Sequence, residues 1–133
     1  TLIHGDLRAD NLFFADGGNP RIVDFQVIGQ STPAFDAAYL FSQSLDPGIR
    51  RDHEQRLARD HVAELARLGV GGYPFDQYWD EYRVSLLFCL VYPMSFFLNF
   101  DLSDPRSVAL ARVMIERGAR AIDETKAYEL LPH

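Results

Sequence analysis

The residues best suited to chemistry lie close together near the start of the chain. Asp6 is followed five residues later by Asn11, and a second carboxylate, Asp24, follows a short apolar run. Between Asn11 and Asp24, the stretch Asp16-Gly17-Gly18-Asn19 is typical of a tight β-hairpin turn, because glycine adopts positive φ without steric cost. The spacing therefore predicts two short strands with these polar groups at the open end of a hairpin.

The turn sets the expected register. If Gly17 and Gly18 are the two loop residues, Asn11 lies directly opposite Asp24, and opposite residues project to the same face. An amide oxygen and a carboxylate side by side suit Mg²⁺, which fills its remaining positions with water and phosphate oxygens. Asp6 lies on the loop that enters the hairpin, where a base would accept a proton from a hydroxyl that attacks a metal-bound phosphate.

These motifs resemble a known family. Asp, then Asn five residues later, then a hairpin and Asp-Phe-x, is the catalytic-loop and metal-loop arrangement of the protein-kinase-like fold. His4-Gly5-Asp6 resembles the aminoglycoside phosphotransferase and choline kinase branch, and Asp24-Phe25-Gln26 is similar to its ecdysteroid-kinase-like (CHK kinase-like) group. The segment from Pro33 to Tyr39 also resembles the stretch that follows the metal loop in these small-molecule kinases.

The resemblance implies a role for each matching position. Asp6 would be the catalytic base, and Asn11 and Asp24 would hold Mg²⁺ against the phosphates of ATP. His4 would give structural support to the catalytic loop, and Asp36 would be a buried carboxylate that bonds to the backbone of that loop.

Further candidates are open to two explanations each. Arg8 is either a surface arginine or a contact for substrate or phosphate, and Asp10 is either a solvated neighbour or a contact for metal or substrate. In the resembled family, acceptors lie against C-terminal helices, so Asp76, Trp79 and Asp80 are candidates for lining that pocket. Core packing is the alternative explanation for the aromatic stretch that contains them.

Three other features predict structure rather than chemistry. His53 and His61 are eight residues apart, whereas a helical metal pair would be four apart, so surface or half-buried positions are expected. The glycines between residues 69 and 72 follow a predicted helix and lack the Lys-Ser/Thr ending of a phosphate loop, which indicates a linker. Cys89, the single cysteine, lies in an apolar run and is expected to be an inert core thiol.

The remaining pattern predicts an α+β fold. A strand end is expected at Leu2-Ile3, and caps and apolar spacing predict four helices: from about Pro33, from Asp46-Pro47 to Gly69, over Phe75–Phe97 with a bend or break at Pro93, and from Ser103-Asp104-Pro105. This order suits a protein-kinase-like C-terminal lobe, in which a short β-hairpin with a catalytic loop precedes a mostly helical bundle.

Composition excludes several classes of function. The net charge of −6 argues against binding to nucleic acid, which needs a basic face. The uncharged segment Val84–Phe100 is shorter than the about 20 residues that span a membrane and contains Pro93, so a buried core helix is expected. No signal peptide precedes the motif, and the expected location is cytoplasmic.

A kinase of this fold also needs a glycine-rich strand pair and a strand lysine that contacts the phosphates. The sequence contains one lysine, Lys126, near its C-terminus, and Thr1 falls within an expected strand. We therefore expect residues 1–133 to form the C-terminal catalytic lobe, with the N-terminal nucleotide-binding lobe absent from this chain.

The leading hypothesis is an ATP- and Mg²⁺-dependent phosphotransferase that moves the γ-phosphate of ATP to a hydroxyl of an aminoglycoside, a choline-like compound, or a steroid or other alcohol. Its expected partners are ATP, that acceptor and the missing lobe, with neither nucleic acid nor membrane. The alternative is a non-catalytic, pseudokinase-like module that binds a ligand or partner. A metal-dependent phosphoesterase would need more His or Asp ligands than this chain offers.

Overall fold

The computed structural model of the protein describes residues 1–15, 18–99 and 103–132, and only the backbone of residues 96–99. Within these ranges, four two-residue strands precede five α-helices. The strands are β1 (Leu2–Ile3), β2 (Leu12–Phe13), β3 (Arg21–Ile22) and β4 (Gly29–Gln30). The helices are α1 (Ala34–Ser44), α2 (Pro47–Arg67), α3 (Phe75–Cys89), α4 (Val91–Asn99) and α5 (Pro105–Thr125), with 3₁₀ turns at Ala9–Asn11 and Ala127–Leu130. The predicted α+β class, a small hairpin followed by a helical bundle, is confirmed.

Two antiparallel strand pairs enclose the residues of the predicted site. β1 pairs with β4, with Leu2 opposite Gln30, and β2 pairs with β3, with Leu12 opposite Ile22. The β1–β4 pair brings the loop that leaves β1 beside the segment that enters β4. The sequence did not predict β4, because Gly29-Gln30 has no alternating apolar pattern.

The hairpin register differs by one residue from the predicted register. Asn11 lies opposite Val23, whose N–H donates to the Asn11 carbonyl (N···O 3.1 Å), so the prediction that Asn11 faces Asp24 is wrong. The predicted loop at Gly17-Gly18 falls partly outside the described residues. The turn residues are compatible with more than one loop length, and a change of one residue in the loop shifts every cross-strand pair.

The helix ends follow the predicted start and stop signals. Asp46 and Asp104 each precede a proline, and their carboxylates accept hydrogen bonds from backbone N–H groups in the first turns of α2 and α5. After α2, Gly69 adopts a φ of +94°, and the Val70 N–H donates to the Leu65 carbonyl at 3.0 Å. This is a Schellman-type helix end, which glycine favours because it has no Cβ.

The predicted long helix is two helices. α3 ends at Cys89 and α4 begins at Val91, so the predicted break is confirmed but lies before Pro93. A proline at position 93 lacks the N–H that would bond to the Cys89 carbonyl, and its ring clashes with that carbonyl in a continuous helix. In the first turn of α4 the missing N–H has no cost, because the N–H groups of a first turn have no partner within the helix.

The predicted burial of the apolar segment 84–100 is correct on one face only. Ser85, Leu86, Cys89 and Pro93 are buried, whereas the opposite face exposes Val84, Phe88, Val91 and Met94. Side chains from 96 to 100 lie outside the described part. Among the helices that the structure describes, none is both long enough and apolar enough to cross a bilayer.

The core forms where α1 packs against α3. The contact joins small residues of α1 to large ones of α3, with Ala34, Ala38, Tyr78, Tyr82 and Cys89 fully buried. Burial raises the pKa of the Cys89 thiol, as expected of an inert core cysteine.

The two core tyrosines also bond to α2. The Tyr78 hydroxyl lies 2.8 Å from Nδ1 of His61, and the Tyr82 hydroxyl donates to Glu54 at 2.9 Å. His61 is half-buried and His53 is exposed, as predicted.

A buried ion-pair network joins α2, α3 and α5. Arg50 is 1% exposed, and its Nη1 lies 2.6 Å from the Glu54 carboxylate, while its Nη2 donates to Glu124 on α5. Burial raises the pKa of Glu54, and the adjacent guanidinium opposes that shift. The network therefore depends on all its members, because each buried charge is offset only by its partners.

The loop after β1 passes very close to the segment before β4. Gly5 has a φ of +83°, and a Cβ built on it would lie 2.4 Å from the backbone carbonyl oxygen of Val27. Both the backbone conformation and the space therefore require glycine at this position.

We predict that Arg50→Met destabilises the chain by about 3–5 kcal/mol, because it leaves the Glu54 carboxylate buried without its cation. The measurement is the free energy of unfolding in urea. Arg56→Met is the control, because Arg56 pairs with Asp60 on the exposed surface of α2, and it should cost at most about 1 kcal/mol. Equal effects of the two variants would contradict the prediction.

We predict that Gly5→Ala costs about 3 kcal/mol or more, since the new Cβ clashes with a backbone atom. Two other glycines distinguish the cost of the clash from the cost of the backbone conformation. Gly69 has a positive φ but no atom near its Cβ position, whereas Gly71 has neither a positive φ nor a neighbouring atom. Gly69→Ala should cost about 1 kcal/mol and Gly71→Ala close to nothing. The clash at Gly5 would be disproved if Gly5→Ala cost no more than Gly69→Ala in the same unfolding experiment.

Candidate active site

The loop that carries the candidate base is held by one carboxylate of α1. Asp36 accepts hydrogen bonds from the N–H groups of His4 (2.7 Å to Oδ2) and Gly5 (2.9 Å to Oδ1). Hydrogen bonds to an ionised acceptor are stronger than neutral ones, and a carboxylate in the first turn of a helix is stabilised by the helix dipole. Asp36 is half-buried rather than fully buried, and it joins the loop to the helical bundle.

His4 connects this loop to the segment that carries Asp24. The buried ring accepts the N–H of Asp6 at Nδ1 (3.3 Å), and its Nε2 lies 2.9 Å from the Val23 carbonyl. An accepting Nδ1 leaves the proton on Nε2, which then donates to Val23. The ring also packs on Phe25, with 4.8 Å between ring centroids. His4 therefore holds both the loop of Asp6 and the segment of Asp24.

Asp6 and Asn11 are directly bonded. Asn11 is buried, and its Nδ2 donates to the backbone carbonyl of Asp6 (2.9 Å) and to its carboxylate Oδ2 (3.2 Å). Two acceptors therefore fix the orientation of the amide, because the reverse orientation would set its oxygen against two other oxygens. In the described part of the chain, the Asn11 Oδ1 receives no hydrogen bond and is the oxygen left for a ligand.

Arg8 bridges two carboxylates of the loop. Its Nε lies 3.5 Å from Oδ1 of Asp6 and its Nη1 lies 3.7 Å from Oδ2 of Asp10. The Asp10 side chain is mostly exposed, whereas those of Arg8 and Asp6 are mostly covered. Arg8 thus places positive charge next to the candidate base.

Asp24 stands just after β3 in an uncommon backbone conformation. Its φ is +67°, in the left-handed region, which Asp tolerates better than most residues do. This turn ends the alternation of side chains along the strand, so the register does not decide where the Asp24 carboxylate projects. The carboxylate is exposed and accepts one hydrogen bond, from Nε2 of Gln26 at 3.4 Å.

Tyr39 is a neighbour of Asp6 that the sequence did not single out. It is fully buried, and its hydroxyl has no hydrogen-bond partner among the described residues. Burial raises the pKa of Tyr39, and the nearby Asp6 carboxylate raises it further. Tyr39 follows Asp36 by three positions on α1, so the two side chains lie on the same face of that helix. This spacing is the feature of the sequence that could have identified Tyr39 as a neighbour of the loop.

The three candidates on α3 lie elsewhere. Trp79 stacks on Phe75 and Tyr82, with centroid separations of 6.0 and 4.9 Å, which favours the core-packing explanation. Asp76 is exposed in the first turn of α3, and Asp80 is exposed and pairs with Arg83 at 3.3 Å.

The cavities that Trp79 and Asp80 border do not reach the candidate catalytic loop, residues 4–11. Trp79 borders a cavity of about 370 Å³ between α2, α3 and α5, and Asp80 borders one of about 350 Å³ near Phe35. Neither cavity is lined by a residue of segment 4–11.

A different cavity borders the candidate catalytic loop. It measures about 230 Å³ and lies between the loop, the end of α1 and the middle of α5. Its lining residues are Arg8, Ala9, Asp10, Gln43, Ser44, Leu110, Met114 and Arg117. The Ala9 N–H donates to the Ser44 hydroxyl at 2.8 Å, which fixes the loop to the end of α1.

The oxygen groups suit a hard cation. The part of the chain that the structure describes holds no cluster of three or more His, Cys, Asp or Glu side chains able to bind a metal. The two candidate ligands from the sequence, Asn11 Oδ1 and the exposed Asp24 carboxylate, are one amide oxygen and one carboxylate. Mg²⁺ accepts such a set, because it commonly takes one or two protein oxygens and completes its octahedron with water and phosphate.

Comparison with known proteins identifies the family of this chain. The model of the ecdysteroid kinase-like family matches residues 1–69, just over half of the chain. The match begins at β1, includes His4, Asp6, Asn11, Asp24 and Asp36, and ends just after α2. Neither the curated proteins nor the solved structures gave a match. The chain belongs to the ecdysteroid kinase-like family.

Proposed function

We propose that this chain carries the catalytic residues of an ATP- and Mg²⁺-dependent phosphotransferase, which moves the γ-phosphate of ATP to a hydroxyl of a small molecule. The family is kinase-like, which supports a small-molecule kinase in general. The observation that carries the proposal is a set of hydrogen bonds around one loop. Asn11 donates to Asp6, and the loop is held by the bond from the His4 N–H to Asp36 and by the bond between the His4 ring and the Val23 carbonyl. In-line phosphoryl transfer depends mostly on positioning and charge neutralisation, and these residues form a fixed framework for both.

Asp6 is proposed as the general base. Its Oδ2 accepts a hydrogen bond from the Asn11 amide, and its Oδ1 lies near the Arg8 guanidinium. The side chain is also partly accessible to solvent. It therefore has lone pairs available for the proton of an acceptor hydroxyl, and its orientation is set before the acceptor binds. Proton transfer to a positioned base contributes about 10²–10⁴-fold to rate.

Asn11 and Asp24 are proposed to hold Mg²⁺. Asp6 orients the Asn11 amide with its oxygen free for a ligand, and the left-handed turn at Asp24 leaves an exposed carboxylate. The ion, when bound, neutralises charge on the phosphates.

We further propose that residues 1–133 are the C-terminal lobe and that another part of the protein supplies the nucleotide-binding lobe. The sequence has no glycine-rich strand pair, and its one lysine, Lys126, follows α5. The β region also exposes a group of large apolar side chains, a kind of patch that commonly marks an interface: Phe13, Phe14, Ile22, Phe25 and Ile28.

In the protein that includes both lobes, Asp6→Asn should lower kcat by about 10²–10⁴-fold, because the amide cannot accept the hydroxyl proton. ATP affinity should change little, since Asp6 is not a proposed ligand of the nucleotide. ADP release and calorimetry measure the two quantities. Asp60→Asn, an exposed carboxylate on α2, is the control and should retain full activity. Wild-type turnover by Asp6→Asn would refute the assignment of the base.

Asp24→Asn should remove most of the gain in ATP affinity that Mg²⁺ provides, because one of two proposed protein ligands loses its charge. The measurement is ATP binding by calorimetry with Mg²⁺ and with a chelator, again with Asp60→Asn as the control. An unchanged dependence on Mg²⁺ would exclude Asp24 as a ligand. Binding of Mg·ATP by the wild-type protein without transfer to any acceptor would instead support a non-catalytic binding module.

A further inference from the structure

We infer that Tyr39 is a positioning residue for the proposed base, and that its hydroxyl donates a hydrogen bond to the Asp6 carboxylate when Mg·ATP and an acceptor are bound. The inference rests on the proposed function, because it requires Asp6 to act as the base. It follows from the position of Tyr39 on α1, from the groups around its hydroxyl and from the number of hydrogen bonds that Asp6 can still accept.

Tyr39 belongs to the helix that holds the loop of the proposed base. Asp36, one turn earlier on α1, accepts the N–H groups of His4 and Gly5, and Asp6 is the next residue of that loop. Residues three positions apart lie on the same face of a helix. The Tyr39 side chain therefore lies on the side of α1 that contacts the loop.

Tyr39 carries a buried hydroxyl that needs a partner. The residue has no exposed surface, and its hydroxyl forms no hydrogen bond with any described residue. Its ring packs on Tyr92 of α4, with 5.2 Å between ring centroids, which restricts movement of the ring. A buried hydroxyl without a partner costs free energy, so a hydrogen bond to a nearby acceptor is favourable.

Asp6 is the strong acceptor close to this hydroxyl. Burial raises the pKa of Tyr39, and Asp6 raises it further, both through its charge and as an acceptor near the hydroxyl, although the geometry falls short of a hydrogen bond. The other ionisable groups that influence the hydroxyl are Arg8 and Cys89. A guanidinium has no acceptor atom and a thiol is a weak acceptor, whereas a carboxylate accepts strongly.

The Asp6 carboxylate can accept this additional hydrogen bond. Asn11 Nδ2 donates to its Oδ2 at 3.2 Å, and Arg8 Nε, which is buried, lies 3.5 Å from its Oδ1 without forming a hydrogen bond. A carboxylate has about four lone-pair sites, so Tyr39 can donate to one and leave another for the hydroxyl of the acceptor. Hydrogen bonds of catalytic groups are often long or poorly aligned without substrate and shorten when it binds. Asn11 and Tyr39 would then hold the base together.

The test is Tyr39→Phe in the protein that includes both lobes, because this change removes the hydroxyl and retains the ring that packs on Tyr92. ADP release from Mg·ATP, with water as the acceptor, is measured under single-turnover conditions. The rate should fall about tenfold or more, since a hydrogen bond to a charged group is lost. The affinity for Mg·ATP and the urea midpoint of unfolding should not fall, because the hydroxyl has no partner among the described residues without ligands.

Tyr82→Phe is the matched control. Tyr82 is equally buried, but its hydroxyl donates to Glu54 in the helical bundle. This variant should lower the urea midpoint and leave the rate of ADP release unchanged, which separates a loss of stability from a loss of positioning.

A double-mutant cycle shows whether the hydroxyl acts through Asp6. Tyr39→Phe should change the rate less than about twofold in the Asp6→Asn background, because the base that the hydroxyl positions is already absent. A wild-type rate in Tyr39→Phe, or an equal loss in both backgrounds, would overturn the inference and leave Asp6 as the base. A wild-type rate in Asp6→Asn, or no ADP release by the wild-type protein, would refute the proposed function and the inference with it.

Discussion

The site depends on one carboxylate that holds two consecutive backbone N–H groups. Asp36 fixes His4 and Gly5, and His4 in turn holds Val23, so the loop of the candidate base and the segment of the candidate metal ligand share one support. Because Asp36 belongs to α1, which packs on α3 in the core, the position of the site follows from the packing of the bundle. The strand pairs have two residues each, and on their own they would order little backbone.

The parts of the fold that the sequence predicts well are set by local interactions. Asp46 and Asp104 cap helices through neighbouring N–H groups, and Gly69 ends α2 through its own backbone conformation. The register of the hairpin depends instead on how many residues its loop contains, and the turn motif permits more than one number. Pro93 predicts a break but not its place, because the carbonyl it affects belongs to Cys89, four residues earlier.

The same distinction applies to the candidate site. Asp6 and Asn11 are five residues apart and bond to each other, so their spacing was informative. Gln43 and Arg117 are 74 positions apart, and their meeting at the cavity depends on how α5 lies against α1. Trp79 was open to two explanations, pocket lining or core packing, and its residue type suits both. The packing of Trp79 against Tyr82 on α3 decides for the second.

Cys89 gives the core an intrinsic reporter. The single thiol of the chain is fully buried near the end of α3, and its raised pKa keeps it protonated and unreactive. A water-soluble thiol reagent therefore reaches it only when α3 separates from its neighbours, and the rate of labelling under native conditions follows the frequency of that opening. The same labelling rate would also report any change elsewhere in the chain that, through Asp36 and α1, restrains motion of the bundle.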